Sequence, residues 1–322
     1  MYRIGIIGSR QDFHVQCLVE ECAALKMQPV PIDFRNYPKY NLLTLAPDIF
    51  YDDLRLKGNI RLQDLHLLLI RNFFCTSEDQ TENREDFTVS RERDGALLNL
   101  EYSFARIAET CLPVINTAAA SRFHAEKAFQ YFLLHSRGIN VPRTLVTNNR
   151  AQIDRFIREL GHRVIVKPNA GGAEVVQPDA VFFEQNAAVL PARPFIFQQM
   201  VRGRSFRAYV LGGRIVAAAE IFYDRRFIDW REREQQVIAC TPEAGVQEQI
   251  ERAVRILGLA YCGVDYEWDD HNRQYYLLDF NPAALFTGFG KLVNINMAAE
   301  IAEYILAVLE SGGNTWVFSR DK

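Results

Sequence analysis

Three oxygen-bearing side chains stand at the ends of two neighbouring apolar runs near the C-terminus. Asp265 ends the first run, and Asp279 and Asn281 end the second. The polar segment 269–273 between the runs predicts a β-hairpin, and residues two apart in a strand face the same side. Carboxylate and amide oxygens are ligands that a hard divalent cation prefers, with phosphate oxygens completing its coordination. The pattern predicts a Mg²⁺ site between two strands; the alternative is a polar strand end in solvent.

Two lysines upstream stand where an anion could bind. Lys127 lies in a segment with helical apolar spacing. Lys167 ends the short apolar run 164–166, and Gly171 and Gly172 follow in a loop. A lysine that ends a buried strand is costly unless it meets an anion, and the backbone amides of a glycine-containing loop can bind phosphate oxygens. Each feature alone also fits a surface lysine, but their order along the chain favours phosphate binding.

The order of these features resembles the ATP-grasp superfamily. Lys127, Lys167 with its glycine loop, an apolar strand over 195–201, Arg207 and finally the oxygen cluster follow one another as in that superfamily. The likeness is greatest to carboxylate–amine ligases, which include ribosomal-protein glutamate ligases and the ligases that mature microviridin-type peptides (graspetides). It covers about residues 115–310 and arguably the whole chain.

The resemblance implies a fold and a set of roles. The fold would be α/β and α+β, with a Rossmann-like N-terminal lobe followed by two α+β subdomains that clamp ATP. The two lysines would contact the phosphates, and the oxygen cluster would hold Mg²⁺, or Mn²⁺ in its place. A short hinge strand would hydrogen-bond the adenine through its backbone at Gln198, Gln199, Met200 and Val201. Phosphoryl transfer asks a protein mainly for positioning and charge neutralisation, which this set would supply.

Two further arginines are candidates for a catalytic role. Arg207 offers a planar fork that suits a phosphate or an acyl phosphate, although a surface strand arginine is an equal alternative. Arg231 lies in Asp229-Trp230-Arg231, which resembles an Asp-x-Arg element of the peptide-crosslinking ligases. There the arginine would hold the acceptor-side carboxylate, and an aspartate two residues away could orient it. A solvated charged loop is the alternative for this segment.

The chain departs from the family pattern at several positions. Asp279 stands where the family usually has Glu, and Ser205 stands where an acidic residue two before the arginine is common. Gln199 replaces a frequent Glu, and the segment 202–204 lacks an acidic residue for the ribose. These differences put the ribose contacts in doubt more than nucleotide binding itself.

We expect three parts: an N-terminal α/β lobe over 1–115, a central subdomain over 116–195 and a C-terminal subdomain over 196–322. Strands are predicted at 4–7, 29–34, 67–70 and 114–115, and helices at 13–27 and 95–111. The polarity of the acidic stretch 76–94 predicts a long loop. Arg71 and Asn72, which follow one strand, are candidates to face the active cleft.

Composition excludes several classes of protein. A chain of 322 residues with 48% hydrophobic residues suits a globular enzyme. A net charge of −3 gives no reason to expect nucleic-acid binding. We see no membrane-length apolar run and no signal peptide. Six scattered cysteines favour free thiols in a reducing cytoplasm. The resemblance adds a homo-oligomer, dimer or tetramer, as an expectation.

The function expected from this resemblance is an ATP- and Mg²⁺-dependent ligase that works through an acyl phosphate. Its expected job is to join side-chain carboxylates of a ribosomally made precursor peptide to hydroxyls or amines of the same peptide, as ω-esters or ω-amides. One alternative is the addition of an amino acid to a carboxylate on a protein, peptide or small molecule. An alternative of another class is a nucleotide-binding regulator without catalysis.

Overall fold

The computed structural model of the protein describes residues 1–34, 55–56, 60–73, 87–168, 175–224 and 234–317. Its N-terminal part is a four-stranded parallel sheet in the order β2-β1-β5-β6. The elements of this part are β1 Arg3–Ile7, α1 Phe13–Ala24, β2 Gln28–Ile32, β3 Arg55–Leu56, β4 Ile60–Arg61, β5 Leu67–Ile70, α2 Phe87–Ala108 and β6 Val114–Ile115. The short strands β3 and β4 pair separately. The predicted α/β lobe is therefore confirmed, with its four strands close to the predicted positions.

The start of α2 corrects the sequence analysis. Residues 87–94 belong to this helix and not to a loop, since α2 begins at Phe87. Glu92 is exposed on the helix, and Glu and Arg have high helix propensity at solvent-facing positions. The polarity of this segment did not separate helix from loop, because Glu and Arg are common in both. The remainder of the acidic stretch, residues 76–86, lies outside the described residues.

A small antiparallel sheet, β7-β9-β8, forms the central part. Its central strand β9 is buried throughout, and helix α5 packs on it through Ile153 and Phe156. The elements are α3 Ala118–Ser121, α4 Lys127–Ser136, β7 Thr144–Thr147, α5 Arg150–Glu159, β8 Val164–Pro168, α6 Ala180–Gln185 and β9 Phe195–Gln199. This sheet has a hydrophobic core of its own.

The C-terminal part is a five-stranded antiparallel sheet in the order β12-β11-β10-β13-β14. Along β10 the side chains alternate between the two faces, so that Ala208 and Val210 enter one core and Tyr209 and Leu211 the other. The elements are β10 Gly203–Leu211, β11 Arg214–Tyr223, β12 Glu234–Ala239, α7 Ala244–Leu257, β13 Tyr261–Asp269, β14 Gln274–Asn281, α8 Thr287–Val293 and α9 Met297–Glu310.

The hairpin predicted around the segment 269–273 is confirmed. Strands β13 and β14 pair antiparallel on either side of the polar segment that begins at Asp269. Strands β10 and β11 meet at Gly212 and Gly213, whose φ angles are +58° and +80°. Two successive residues with positive φ make the tight turn that matches the twist of the strands, and glycine adopts it without strain.

The N-terminal and C-terminal parts share one hydrophobic core. Ile6, Val15 and Leu69 from the parallel sheet and α1 pack in the same cluster as Tyr209 and Ile301 from the C-terminal part. Helix α1 lies against α9. The boundaries of the three predicted parts stay a prediction, and the one between 195 and 196 falls inside β9.

Two observations concern membrane spans and thiols. Within the described ranges no single helix is long and apolar enough to span a membrane. Helices α8 and α9 meet the criterion of length and composition only as a pair, and they are bent by 109°. Cys17, Cys22, Cys111, Cys240 and Cys262 are free thiols, and Cys75 lies outside the described residues.

Candidate functional site

The predicted metal ligands come together on the last two strands of the C-terminal sheet. Asp265 on β13 lies opposite Asp279 on β14, and Gly263 lies opposite Asn281. Arg207 on β10 is the partner of Asp265 on its other side. Arg207, Asp265 and Asp279 therefore form one row across three neighbouring strands, which are about 4.8 Å apart. The register of the sheet thus places a cation and two carboxylates on one face.

Asp265 is paired with Arg207 at two points. Nε of Arg207 donates to Oδ1 at 2.6 Å, and Nη2 donates to Oδ2 at 2.8 Å. Both side chains are mostly buried, with 22% and 18% of their surfaces exposed. Burial opposes the charge of Arg207, but the carboxylate of Asp265 outweighs it and raises the pKa of the guanidinium above its ordinary value. Arg207 is thus a permanently charged group directed at the carboxylate row.

Asp279 is paired with Lys127, the first residue of α4. A lysine in the first turn of a helix is unfavourable with the helix dipole, and the ion pair offsets this. Burial alone would raise the pKa of Asp279, but Lys127, Lys167 and His124 lower it to about 2. The hydroxyl of Tyr131 donates to the carbonyl of Leu278 at 2.7 Å and ties α4 to β14. Asp279 is therefore ionised at neutral pH, as a metal ligand must be.

Lys167 is oriented by a side chain from the predicted hinge. Its Nζ donates to Oε1 of Gln198 at 2.8 Å, and Nε2 of Gln198 donates to Oγ1 of Thr144 at 3.0 Å. Gln198 is 1% exposed. The side chain of Gln198 thus has a role that the sequence analysis did not foresee, since it holds one of the two phosphate-binding candidates.

The predicted hinge comprises Gln198 and Gln199, the last two residues of β9, together with Met200 and Val201. The amide of Gln199 donates to the carbonyl of Arg143 at 2.8 Å, and that of Met200 donates to the carbonyl of Arg163 at 2.9 Å. Within the described part of the chain the amide of Val201 has no such partner. Val201 is 9% exposed, and its contact with adenine stays a prediction.

Sequence reasoning missed Arg163, which supports this hinge. Its Nη2 donates to the carbonyl of Met200 at 3.3 Å and to Oδ2 of Asp269 at 3.1 Å. Asp269 is fully buried, and buried carboxylates are normally paired. No local motif marks this pair, because its members are far apart in the chain and meet only through the fold.

Four candidate residues cannot be placed. Gly171 and Gly172 of the glycine loop lie outside the described residues, in the gap 169–174. Asp229 and Arg231 lie in the gap 225–233. Their roles stay predictions.

The donor set suits a hard divalent cation that shares its coordination with another ligand. Asp265 and Asp279 offer carboxylate oxygens. Oδ1 of Asn281 accepts from the amide of Ala283 at 2.9 Å and keeps a second lone pair. Among the described residues no group of three His, Cys, Asp or Glu side chains could hold a metal. Two carboxylates and an amide leave coordination positions open, which is how Mg²⁺ binds together with phosphates and water.

Comparison with known proteins identifies the family. Residues 124–305, more than half of the chain, match the family model described as the RimK-like ATP-grasp domain. A probable alpha-L-glutamate ligase of Rhodopirellula baltica is 24% identical over 208 residues, which cover 61% of this chain and 50% of that protein. The chain therefore spans about half the length of this relative.

Solved structures extend the likeness to nearly the whole chain. The ATP-grasp ligase PsnB, solved with a minimal precursor, Mg and ADP, is similar with a TM-score of 0.79 and 25% identity, over 95% of this chain and 98% of PsnB. The macrocyclase MdnC of Microcystis aeruginosa, bound to the precursor peptide MdnA, has a TM-score of 0.78 over 94% of this chain and 98% of MdnC. At 16% identity MdnC supports the fold alone. The predicted ATP-grasp fold is confirmed, and the chain belongs to the RimK-like ATP-grasp family of ligases.

Proposed function

We propose that the protein is an ATP- and Mg²⁺-dependent ligase that activates a carboxylate as an acyl phosphate. The observation that carries this proposal is the convergence of Lys127, Lys167 and Arg207 on the carboxylates Asp265 and Asp279. Three cations around two acids suit a site that receives both a polyphosphate and a metal. The likeness to PsnB, which is solved with Mg and ADP, also supports an ATP- and Mg²⁺-dependent ligase.

The roles proposed for the residues follow from their placement. Asp265, Asp279 and Asn281 hold Mg²⁺, and Lys127, Lys167 and Arg207 neutralise phosphate charge. When bound, ATP and Mg²⁺ supply the phosphoryl group and the charge stabilisation for its transfer to the carboxylate. The amide of Val201 binds the adenine, while Gln198, Gln199 and Met200, whose backbones are paired within the protein, hold the hinge in place.

The substrate that we propose is a ribosomally made precursor peptide, crosslinked between its own side chains. PsnB, which is similar to this chain along its length, is solved with precursor peptides. Arg231, oriented by Asp229, would hold the carboxylate of this peptide, as the Asp-Trp-Arg motif suggests. In the reaction the nucleophile, a hydroxyl or an amine, displaces phosphate from the acyl phosphate and loses its proton, so one ester or amide forms and one ATP becomes ADP and phosphate.

A second candidate is a ligase that adds a separate amino acid to a carboxylate. The RimK-like family model and the relative named a glutamate ligase favour it. The chemistry of the site is the same for both candidates, because only the origin of the nucleophile differs. An assembly of two or four copies stays a prediction for either.

Mass spectrometry of peptides from the native host separates the candidates. The comparison is between wild type, Asn281→Ala and the control Asn99→Ala, which changes an exposed asparagine on α2. Peptides that are lighter by one or more waters in wild type and control, but not in Asn281→Ala, support crosslinking. A gain of an amino-acid residue mass in the same two strains supports the second candidate.

A result with no peptide difference among the three strains contradicts both peptide functions. Assays on purified protein then distinguish a ligase with another substrate from a regulator without catalysis. Binding of Mg²⁺–ATP without ADP release on any carboxylate substrate would point to the regulator interpretation, whereas ADP release that needs a carboxylate would keep the ligase.

A further inference from the structure

We propose that Arg71, from the N-terminal sheet, is a positioning residue for the metal site. It acts on the segment Pro282–Phe286, called the 282–286 loop below, which continues the chain after the proposed metal ligand Asn281. The inference rests on the function proposed above, because it assigns Asn281 to the metal.

Arg71 reaches this loop from another part of the molecule. It follows β5 directly, and its side chain is 2% exposed. Nη1 donates to the carbonyl of Ala283 at 2.7 Å, the one hydrogen bond of this guanidinium within the described residues. Its Nε lies 3.9 Å from Oδ2 of Asp12, and the guanidinium lies 5.8 Å from the ring centre of Phe286. A buried cation needs polar partners, so the hydrogen bond to the carbonyl of Ala283 fixes the guanidinium against the loop.

Three consecutive carbonyls of the 282–286 loop each receive a side-chain donor. Arg71 binds the carbonyl of Ala283, as described above. The hydroxyl of Tyr261 donates to the carbonyl of Ala284 at 2.9 Å, and that of Tyr209 donates to the carbonyl of Leu285 at 2.5 Å. The tyrosines come from β13 and β10, so the loop is held by two strands of its own sheet and by one residue of the parallel sheet.

Ala283 links Arg71 to the proposed metal ligand Asn281 through two hydrogen bonds. The amide of Ala283 donates to Oδ1 of Asn281 at 2.9 Å, while the carbonyl of the same residue accepts from Arg71. One residue therefore connects the guanidinium to the amide oxygen that would face the metal. Groups that hydrogen-bond to a metal ligand set its orientation and commonly change metal affinity by about 10- to 100-fold when removed. Here that group is the amide of Ala283, and Arg71 acts on it through the carbonyl of the same residue.

Two alternatives make different predictions. If Arg71 bound the substrate directly, its loss would weaken peptide binding and leave the loop and the metal unchanged. If Arg71 only filled the core between the parallel sheet and the loop, its loss would lower global stability without a selective effect on the loop. Positioning predicts a local change in the loop together with weaker metal binding.

The test uses the full-length protein with Arg71→Met, which keeps most of the stem without the donors, and Arg71→Lys, which keeps the charge. Tyr304→Phe is the matched control in the same core, since it removes a buried hydroxyl that donates at 2.5 Å to the carbonyl of Thr315 and not to the loop. Hydrogen exchange at the amides of 283–286 is measured without ligand. The affinity of Mn²⁺ for the complex with ADP is measured by electron paramagnetic resonance.

We expect Arg71→Met to exchange faster at Ala283 and to bind Mn²⁺ about 10- to 100-fold more weakly, with a smaller effect in Arg71→Lys and none in Tyr304→Phe. Wild-type exchange and Mn²⁺ affinity in both Arg71 variants would overturn the proposal, as would a loss of peptide affinity alone. If Arg71→Met does not fold, Arg71→Lys decides. If wild type binds no Mn²⁺ with ADP, the proposed function fails, while the exchange data still decide whether Arg71 holds the loop.

Discussion

Arg207 and Asp265 form a two-point ion pair across β10 and β13, with both nitrogen–oxygen distances below 3 Å. Lys127 makes a similar contact with Asp279 on the neighbouring strand. Each carboxylate proposed for the metal is therefore already neutralised by a cation proposed for phosphate. A metal that arrives alone competes with these cations, whereas a nucleotide offers them phosphate oxygens instead.

The first prediction concerns Arg207→Met. Without nucleotide this variant should bind Mn²⁺ more tightly than wild type, on the order of tenfold, because Asp265 loses its competing cation. With ADP present it should bind Mn²⁺ more weakly, because a phosphate contact is lost. Isothermal titration with and without ADP measures both.

The control for this prediction is Arg204→Met on the same strand. Arg204 is 48% exposed and pairs with Glu220, away from the carboxylate row. It should leave both Mn²⁺ affinities unchanged. If Arg207→Met weakened Mn²⁺ binding equally with and without ADP, the proposed competition would be wrong.

The second prediction concerns pH. The pKa of Asp279 is lowered to about 2 in the folded protein, below its ordinary value of about 3.9 in an unfolded chain. The stability from this shift is therefore present above about pH 4 and is lost as the pH falls toward 2. Because the Asp279 side chain is 35% exposed, we expect about 1 kcal/mol after solvent screening.

Urea unfolding between pH 5 and pH 2, with chelator present, measures this contribution. Asp279→Asn should lose stability less steeply than wild type over this range, and Lys127→Met should move the pKa of Asp279 upward in carboxyl NMR spectra. Identical slopes for wild type and Asp279→Asn would show that Asp279 does not titrate as described.

The third prediction concerns Gln198→Leu. This change removes the acceptor that orients Lys167 and the donor to Thr144, in a position that is 1% exposed. It should cost about 1–3 kcal/mol of stability, because buried polar groups lose their partners, and it should weaken ADP binding. Urea unfolding and calorimetric titration measure the two effects. Thr144→Val serves as control: it should cost stability but leave ADP binding near wild type, since Lys167 keeps its partner.

The fourth prediction concerns Gly263→Ala. A Cβ at this position would lie 2.6 Å from the Cβ of Ala284, so the 282–286 loop would have to move. We expect a loss of about 1–3 kcal/mol from overpacking and weaker metal binding, since Gly263 lies opposite Asn281. The double variant Gly263→Ala/Ala284→Gly removes the clash and should restore metal binding. Failure of this rescue in a folded double variant would mean that the contact does not set the loop position.

The hairpin of β13 and β14 was predictable because its signals are local: two apolar runs, a polar connection and a period of two. The ion pair of Lys127 with Asp279 was not, because its members lie 152 positions apart and no pattern in either segment specifies the register that joins them. The same holds for Arg163 with Asp269. The sequence analysis began α2 at residue 95 and not at Phe87 for another reason, since charged residues suit a helix as well as a loop.

The core shared by α1, the parallel sheet and the C-terminal sheet makes the separation of these parts costly. Separating these parts would expose a continuous apolar surface that includes Ile6, Val15 and Ile301, at a large cost in free energy. The sheet β7-β9-β8 packs around a core of its own. We therefore expect a displacement of this sheet, which carries Lys167 and Gln198, to expose less buried apolar surface than a separation of the other two parts.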